Sequence, residues 1–121
     1  MADNTAGQTK TVATDQVTVG AFAAGSVVYD ATSITTTDYT RIECGFQPRY
    51  IIWDNFTDRI RVEWQQGMTS SQCLKTAAAG TRTLDTTSTC VVVDKVGFRL
   101  LQDATLGAIA ASKTCYWRAM A

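Results

Sequence analysis

The stretch Phe46-Gln47-Pro48-Arg49-Tyr50-Ile51-Ile52-Trp53-Asp54-Asn55-Phe56-Thr57-Asp58-Arg59-Ile60-Arg61-Val62-Glu63-Trp64 decides the fold. Its run Tyr50-Ile51-Ile52-Trp53 is apolar without a break, the pattern of a strand buried on both faces. Pro48 stands just ahead of that run, where a missing N–H does a sheet least harm. Asp54-Asn55-Phe56-Thr57-Asp58 carries Asn and Asp, whose side chains bond nearby backbone and favour a turn. Residues 58–65 then alternate, with Ile60, Val62 and Trp64 on one side and Arg59, Arg61, Glu63 and Gln65 on the other. Two such runs around a short connection predict an antiparallel hairpin, with residues 49–54 as a central strand.

The pattern extends outward in both directions. Residues 39–46 alternate, placing Thr40, Ile42, Cys44 and Phe46 opposite Tyr39, Arg41 and Glu43. Residues 16–20 and 26–29 read as extended, with 21–25 as a turn between them and 30–38 as a threonine-rich loop. Residues 81–84, 89–94 and 98–101 read as further strands, with a turn over 85–88. Residues 102–113 read as a loop and 114–120 as a bulky terminal strand. Residues 70–79 read as a short helix with Ser70 as N-cap and Gly80 just past its end, or alternatively as a long loop. Threonine recurs from Thr5 to Thr114, and its branched Cβ favours extended backbone. The expected fold is therefore all-β: an antiparallel β-sandwich or jelly-roll-like barrel with at most one short helix. Residues 1–13, small, polar and aperiodic, read as a flexible N-terminal arm ahead of a single domain over 14–121.

Composition narrows the function classes. Eleven basic and eleven acidic residues give no net charge over 121 residues. A nucleic-acid binder needs a net basic face to displace counterions, so none is expected as partner. Arg41, Arg49, Arg59 and Arg61 read as the solvent sides of strands. No apolar window is long enough to span a membrane, so no membrane partner is expected. The polar start lacks the layout of a secretory signal, which implies synthesis in a cytoplasm.

Histidine is absent, which removes the commonest general base and a common metal ligand. No glycine-rich phosphate loop appears, and Asp54, Asn55 and Asp58 lack the spacing of a calcium loop. Glu43 and Glu63 read as surface partners of arginines rather than a catalytic pair. No catalytic residue, cofactor or metal is therefore expected. The four cysteines are widely spaced, with no C-x-x-C pair. Cys44, Cys90 and Cys115 read as small buried hydrophobes, with disulfides arising only under oxidising conditions. The match of Asn55-Phe56-Thr57 to a glycosylation sequon reads as accidental.

What remains is a structural or binding module. Aromatics in strands mostly pack into cores, but a strand apolar on both faces can turn one of them to a partner. That makes Tyr50, Ile52, Tyr116 and Trp117 candidate interface residues. Trp53 joins them, because an exposed Trp53 or Trp117 on a concave surface would favour glycan binding. The arm residues Lys10, Thr11 and Val12 complete the candidate set, as a segment that orders along a partner.

Five parts of the chain carry a resemblance. They are Gly45-Phe46-Gln47-Pro48-Arg49-Tyr50-Ile51-Ile52, Glu63-Trp64 followed by Gly67-Met68, the block Leu74-Lys75-Thr76-Ala77-Ala78-Ala79-Gly80-Thr81-Arg82-Thr83-Leu84-Asp85-Thr86, Gly97-Phe98, and Cys115-Tyr116-Trp117. Together they resemble small virion proteins of tailed bacteriophages, over about residue 45 to the end. The resemblance implies a capsid decoration (cement) protein or the head-anchored base of a short fibre. It further implies the major capsid protein and the chain itself, as dimer or trimer, for partners, and the capsid surface for location. A tail or fibre component, receptor-binding or ring-forming, is the other role in view.

Overall fold

The computed structural model describes residues 3–4, 6–15, 21–69, 72–86, 90–102 and 106–121, with backbone only for 13–15. Ten strands make up the described fold: β1 (Gln8–Asp15), β2 (Phe22–Tyr29), β3 (Tyr39–Glu43), β4 (Tyr50–Asn55), β5 (Ile60–Gln65), β6 (Cys73–Thr76), β7 (Arg82–Asp85), β8 (Val91–Val93), β9 (Gly97–Leu101) and β10 (Thr114–Met120). They form a seven-stranded sheet in the order β1-β2-β10-β4-β5-β6-β7 and a three-stranded sheet in the order β3-β9-β8. Every pairing is antiparallel, and the two sheets pack face to face as a sandwich, not a closed barrel.

The expected hairpin is present as β4–β5, with Trp53 opposite Val62 and Ile51 opposite Trp64. Its turn is held by Asn55. The Asn55 Oδ1 accepts from the Asp58 N–H at 3.1 Å, and Nδ2 donates to Asp58 Oδ2 at 3.1 Å and to Gly107 O at 3.0 Å. β4 is the middle strand of seven, with Ile51, Ile52 and Trp53 all buried. The unbroken apolar run therefore marks the centre of the sheet, as its composition predicts.

The inner face of the large sheet and the small sheet enclose the core. Trp53 and Trp117 are cross-strand partners there, 0% and 1% exposed. Trp53 Nε1 donates to Ala108 O at 3.0 Å. Trp117 meets Phe98 of β9 edge-on, with ring centroids 5.8 Å apart. Burying side chains of this size contributes about 2 kcal/mol each. Leu106, Ala108 and Ile109, from the segment read as a loop, close the core between the sheets. One polar chain crosses it: Tyr29 Oη lies 2.6 Å from Thr40 Oγ1, which donates to Gln102 Oε1 at 3.1 Å, and Gln102 Nε2 donates to Thr35 O at 3.0 Å.

Three expectations are corrected. The arm reading of residues 1–13 fails from Gln8 onward, because β1 pairs with β2 along its whole length. Asn4, ahead of it, is tied to the small sheet: its N–H donates to Tyr39 O at 2.9 Å, and its Oδ1 accepts from Arg41 N at 3.1 Å. The turn expected over 21–25 is the first half of β2, where small residues let a neighbouring strand come close. A Cβ on Gly25 would fall 1.8 Å from Thr11 O and 2.8 Å from the Trp117 ring. The helix expected over 70–79 is instead β6 and a turn. Gly80 N donates to Ala77 O at 2.8 Å, and Gly80 has φ of 94°, a conformation open to glycine at no steric cost. The edge of β5 supplies backbone partners for Leu74, Lys75 and Thr76, and the alanines that follow form the turn. The strand expected over 16–20 lies outside the described residues.

Candidate protein-docking face

Side chains alternate across a strand, so each residue packed inward leaves a neighbour facing outward. On β4 the outward set is Tyr50, Ile52 and Asp54, and on β10 it is Tyr116 and Arg118 with Met120. β2 adds Phe22 and Val28, β5 adds Arg61 and Glu63, and β6–β7 add the opposed pair Leu74 and Leu84. No element among the described residues covers this face of the seven-stranded sheet.

At its hairpin-turn end stands the Phe56–Tyr116 pair, at ring centroids 4.5 Å apart and tilted by 48°. Phe56 is 58% exposed and Tyr116 44%, which is much for paired aromatics. Beside Phe56 runs a trough of about 650 Å³, with Asp54, Arg59, Arg61, Glu63 and Arg82 along its walls. A second hollow of about 340 Å³ lies on the β2–β10 side and shares Asp54, Phe56 and Arg61 with the first. Arg59 holds φ of 58°, the left-handed region that disfavours a side-chain-bearing residue.

Ion pairs fix the charged groups. Arg61 grips Asp54 at two points, Nε to Oδ1 at 2.6 Å and NH2 to Oδ2 at 3.0 Å. That hydrogen bond holds the Arg61 guanidinium above its already high range. Arg82 reaches Glu63 Oε1 at 3.4 Å, and Tyr50 Oη donates to Glu63 Oε2 at 3.0 Å. Partial burial, then the bond to the Glu63 carboxylate, raises the Tyr50 phenol. Arg118 has no ion-pair partner among the described residues. Ile52, 8% exposed, sits between Arg118 and Glu63 in register, where long charged side chains can shield it with their stems.

The fold thus gathers Tyr50, Ile52 and Tyr116 on one surface. Trp53 and Trp117 lie behind it in the core, with almost no surface to offer a partner. Lys10, Thr11 and Val12 lie at the sheet's edge on β1. Thr11 is tied to Ser26, its Oγ1 accepting from Ser26 N at 2.8 Å. Lys10 Nζ donates to Arg41 O at 3.0 Å and to Asn4 Oδ1 at 2.9 Å, and burial lowers its pKa. Val12 is exposed and lines a separate hollow with Lys10 and Arg41. Phe56, Phe22 and Arg118 escape a reading by residue type alone. The signal for Phe56 was a single apolar residue inside an otherwise polar turn.

No protein family, curated protein or solved structure matches this chain. Among the described residues no cluster of His, Cys, Asp or Glu has the makings of a metal site. Among the described residues no helix is long and apolar enough to cross a membrane.

Proposed function

We propose that the chain is a bacteriophage virion structural protein, a capsid decoration protein that binds the outer shell through the open face of its seven-stranded sheet. The uncovered Phe56–Tyr116 pair carries this reading. Among the described residues Phe22, Val28, Phe56, Leu84 and Tyr116 are large apolar side chains left exposed on that face. Exposed aromatic and arginine side chains set among neutralised ion pairs are the composition of a protein interface. The resemblance of residues 45 onward to small phage virion proteins supports the shell as its occupant. Arg118, without an ion-pair partner in the described chain, calls for a carboxylate on the capsid surface opposite it. Glycan recognition through Trp53 or Trp117 loses its footing, since both indoles are buried.

The test is occupancy. Purified protein is mixed with empty, expanded capsids that lack it, and the particles are imaged by cryo-electron microscopy. Ordered density at regular lattice positions, with the Phe56 face against the shell, is the expected result. Phe56→Asp and Arg118→Glu should each remain folded and lose at least tenfold in occupancy. Bare shells, or density confined to the tail, would overturn the proposal.

A further inference from the structure

Two of the four cysteines come from different sheets and meet in the core. Cys73 opens β6. Its neighbour Leu74 faces outward in register with Glu63, so Cys73 faces the small sheet, 0% exposed. Cys90 directly precedes β8, where its carbonyl accepts the Leu101 N–H at 2.9 Å, and it is 1% exposed. Both belong to the same apolar cluster, and Cys90 lies near enough to Cys73 to be the largest influence on its thiol. The other two thiols are satisfied elsewhere, Cys44 by Phe46 O and Cys115 by Ala108 O, each at 3.4 Å. All four are free.

We propose that Cys73 and Cys90 form a redox modification site, a dithiol that closes to an intramolecular disulfide when the protein leaves reducing surroundings and meets a small-molecule disulfide such as glutathione disulfide. In the first step a thiolate of the pair attacks one sulfur of glutathione disulfide. That S–S bond breaks, one glutathione leaves as thiolate, and a mixed disulfide remains. The second cysteine thiolate then displaces the remaining glutathione. The two cysteines give up two protons and two electrons, and the glutathione disulfide becomes two molecules of glutathione.

The surroundings of the pair set the pace. The hydrogen bond that the Cys73 thiol donates to Cys90, with burial added, pushes it far above its ordinary range. The thiolate is the attacking form, so the closed core suppresses the first step at neutral pH. A mixed disulfide also needs more room than the packed core offers. Exchange therefore runs through an opened state, and its rate follows opening. The finished bond would join β6 of the large sheet to the start of β8 in the small one. It would also close the loop carrying β7, a free edge strand paired only with β6.

The test uses the full chain in buffers of rising glutathione disulfide to glutathione ratio, with remaining thiols alkylated after an acid quench. Trypsin places each cysteine on its own peptide: 42–49, 62–75, 83–95 and 114–118. The expected product is peptide 62–75 linked to 83–95, with the other two alkylated and the chain monomeric on a non-reducing gel. A disulfide across a loop of this length raises the folding constant by on the order of a hundredfold. The oxidised wild type should accordingly show a higher unfolding midpoint, a rise that Cys44→Ala retains and Cys90→Ala loses. Cys90→Val serves if the alanine variant does not fold. Peptides 62–75 and 83–95 that stay alkylated in pure glutathione disulfide, even with mild urea to speed opening, would overturn the proposal. Links to Cys44 or Cys115, or between chains, would overturn it equally.

Discussion

The two faces of the large sheet use the same strands for opposite ends. On β4 and β10 the inward residues Ile51, Trp53, Cys115, Trp117 and Ala119 are sealed in the core. One step along the chain the side chains face outward: Asp54 in an ion pair with Arg61, Tyr116 against Phe56, and Arg118 exposed. Stability is concentrated on one face, where each large side chain removes apolar surface from water. On the other, exposed ion pairs contribute little, so residues there can change without unfolding the protein. A sheet built this way has a face to spare for recognition.

The contrast is broken most directly at adjacent positions of β10. Trp117→Ala should lower stability by about 3–5 kcal/mol in urea unfolding. Tyr116→Ala should cost less than about 1 kcal/mol. Equal losses would mean that the outer face also carries the fold. A middle-sized effect tests the polar chain between the sheets. Tyr29→Phe removes the hydroxyl bonded to Thr40 and should cost about 1–2 kcal/mol, read as a shift of the urea midpoint. An unchanged midpoint would mean that apolar packing alone joins the layers.

The smallest effect lies in the surface ion pairs. Arg41 and Asp94 meet at 2.7 Å, and the hydrogen bond from Arg41 holds the Asp94 carboxyl below its ordinary range. A lowered carboxyl pKa stabilises the fold fully above the ordinary aspartate value of about 3.9, and the benefit fades as pH falls through the lower folded value. Asp94→Asn should therefore cost less than about 1 kcal/mol near neutral pH and nothing in strong acid. Urea midpoints of both proteins across the acid range would show the two curves converging. Curves that stay parallel would remove Asp94 from the account.

What the chain declares locally and what it hides divide along the same line. The β4–β5 hairpin is legible because alternation and turn chemistry both sit within residues 46–65. Strand β3 follows from the same alternation, and β9 and β10 from short bulky runs after Gly97 and Lys113. β1 is not legible, because a threonine-rich edge strand half open to water lacks a buried stripe. The first half of β2 is hidden for the opposite reason. Gly25 looks like a turn residue, yet its smallness answers crowding by Thr11 and Trp117, distant in sequence. Gly80 reads as the residue just past a helix, but it sits in the turn between β6 and β7. Of the candidate interface, Tyr50, Ile52 and Tyr116 were legible as members of two-faced strands. Which of two indoles or three aromatics faces outward depends on register, and the 62–65 and 114–120 partners of β4 fix that only in the folded sheet.

The place of β10 has a consequence for the order of folding. It lies between β2 and β4, so among the described residues it is the strand that joins the β1–β2 pair to the β4–β7 meander within the large sheet. It is also the last of the ten to be synthesised. The two halves can form their own turns while the chain is being made, but the sheet stays in two pieces until residue 120 emerges. Closure then depends on contacts spanning most of the chain, the kind that slow folding. Until that strand inserts, both β2 and β4 present open edges to any neighbouring copy. The interval before insertion is when this protein is most exposed to misassembly.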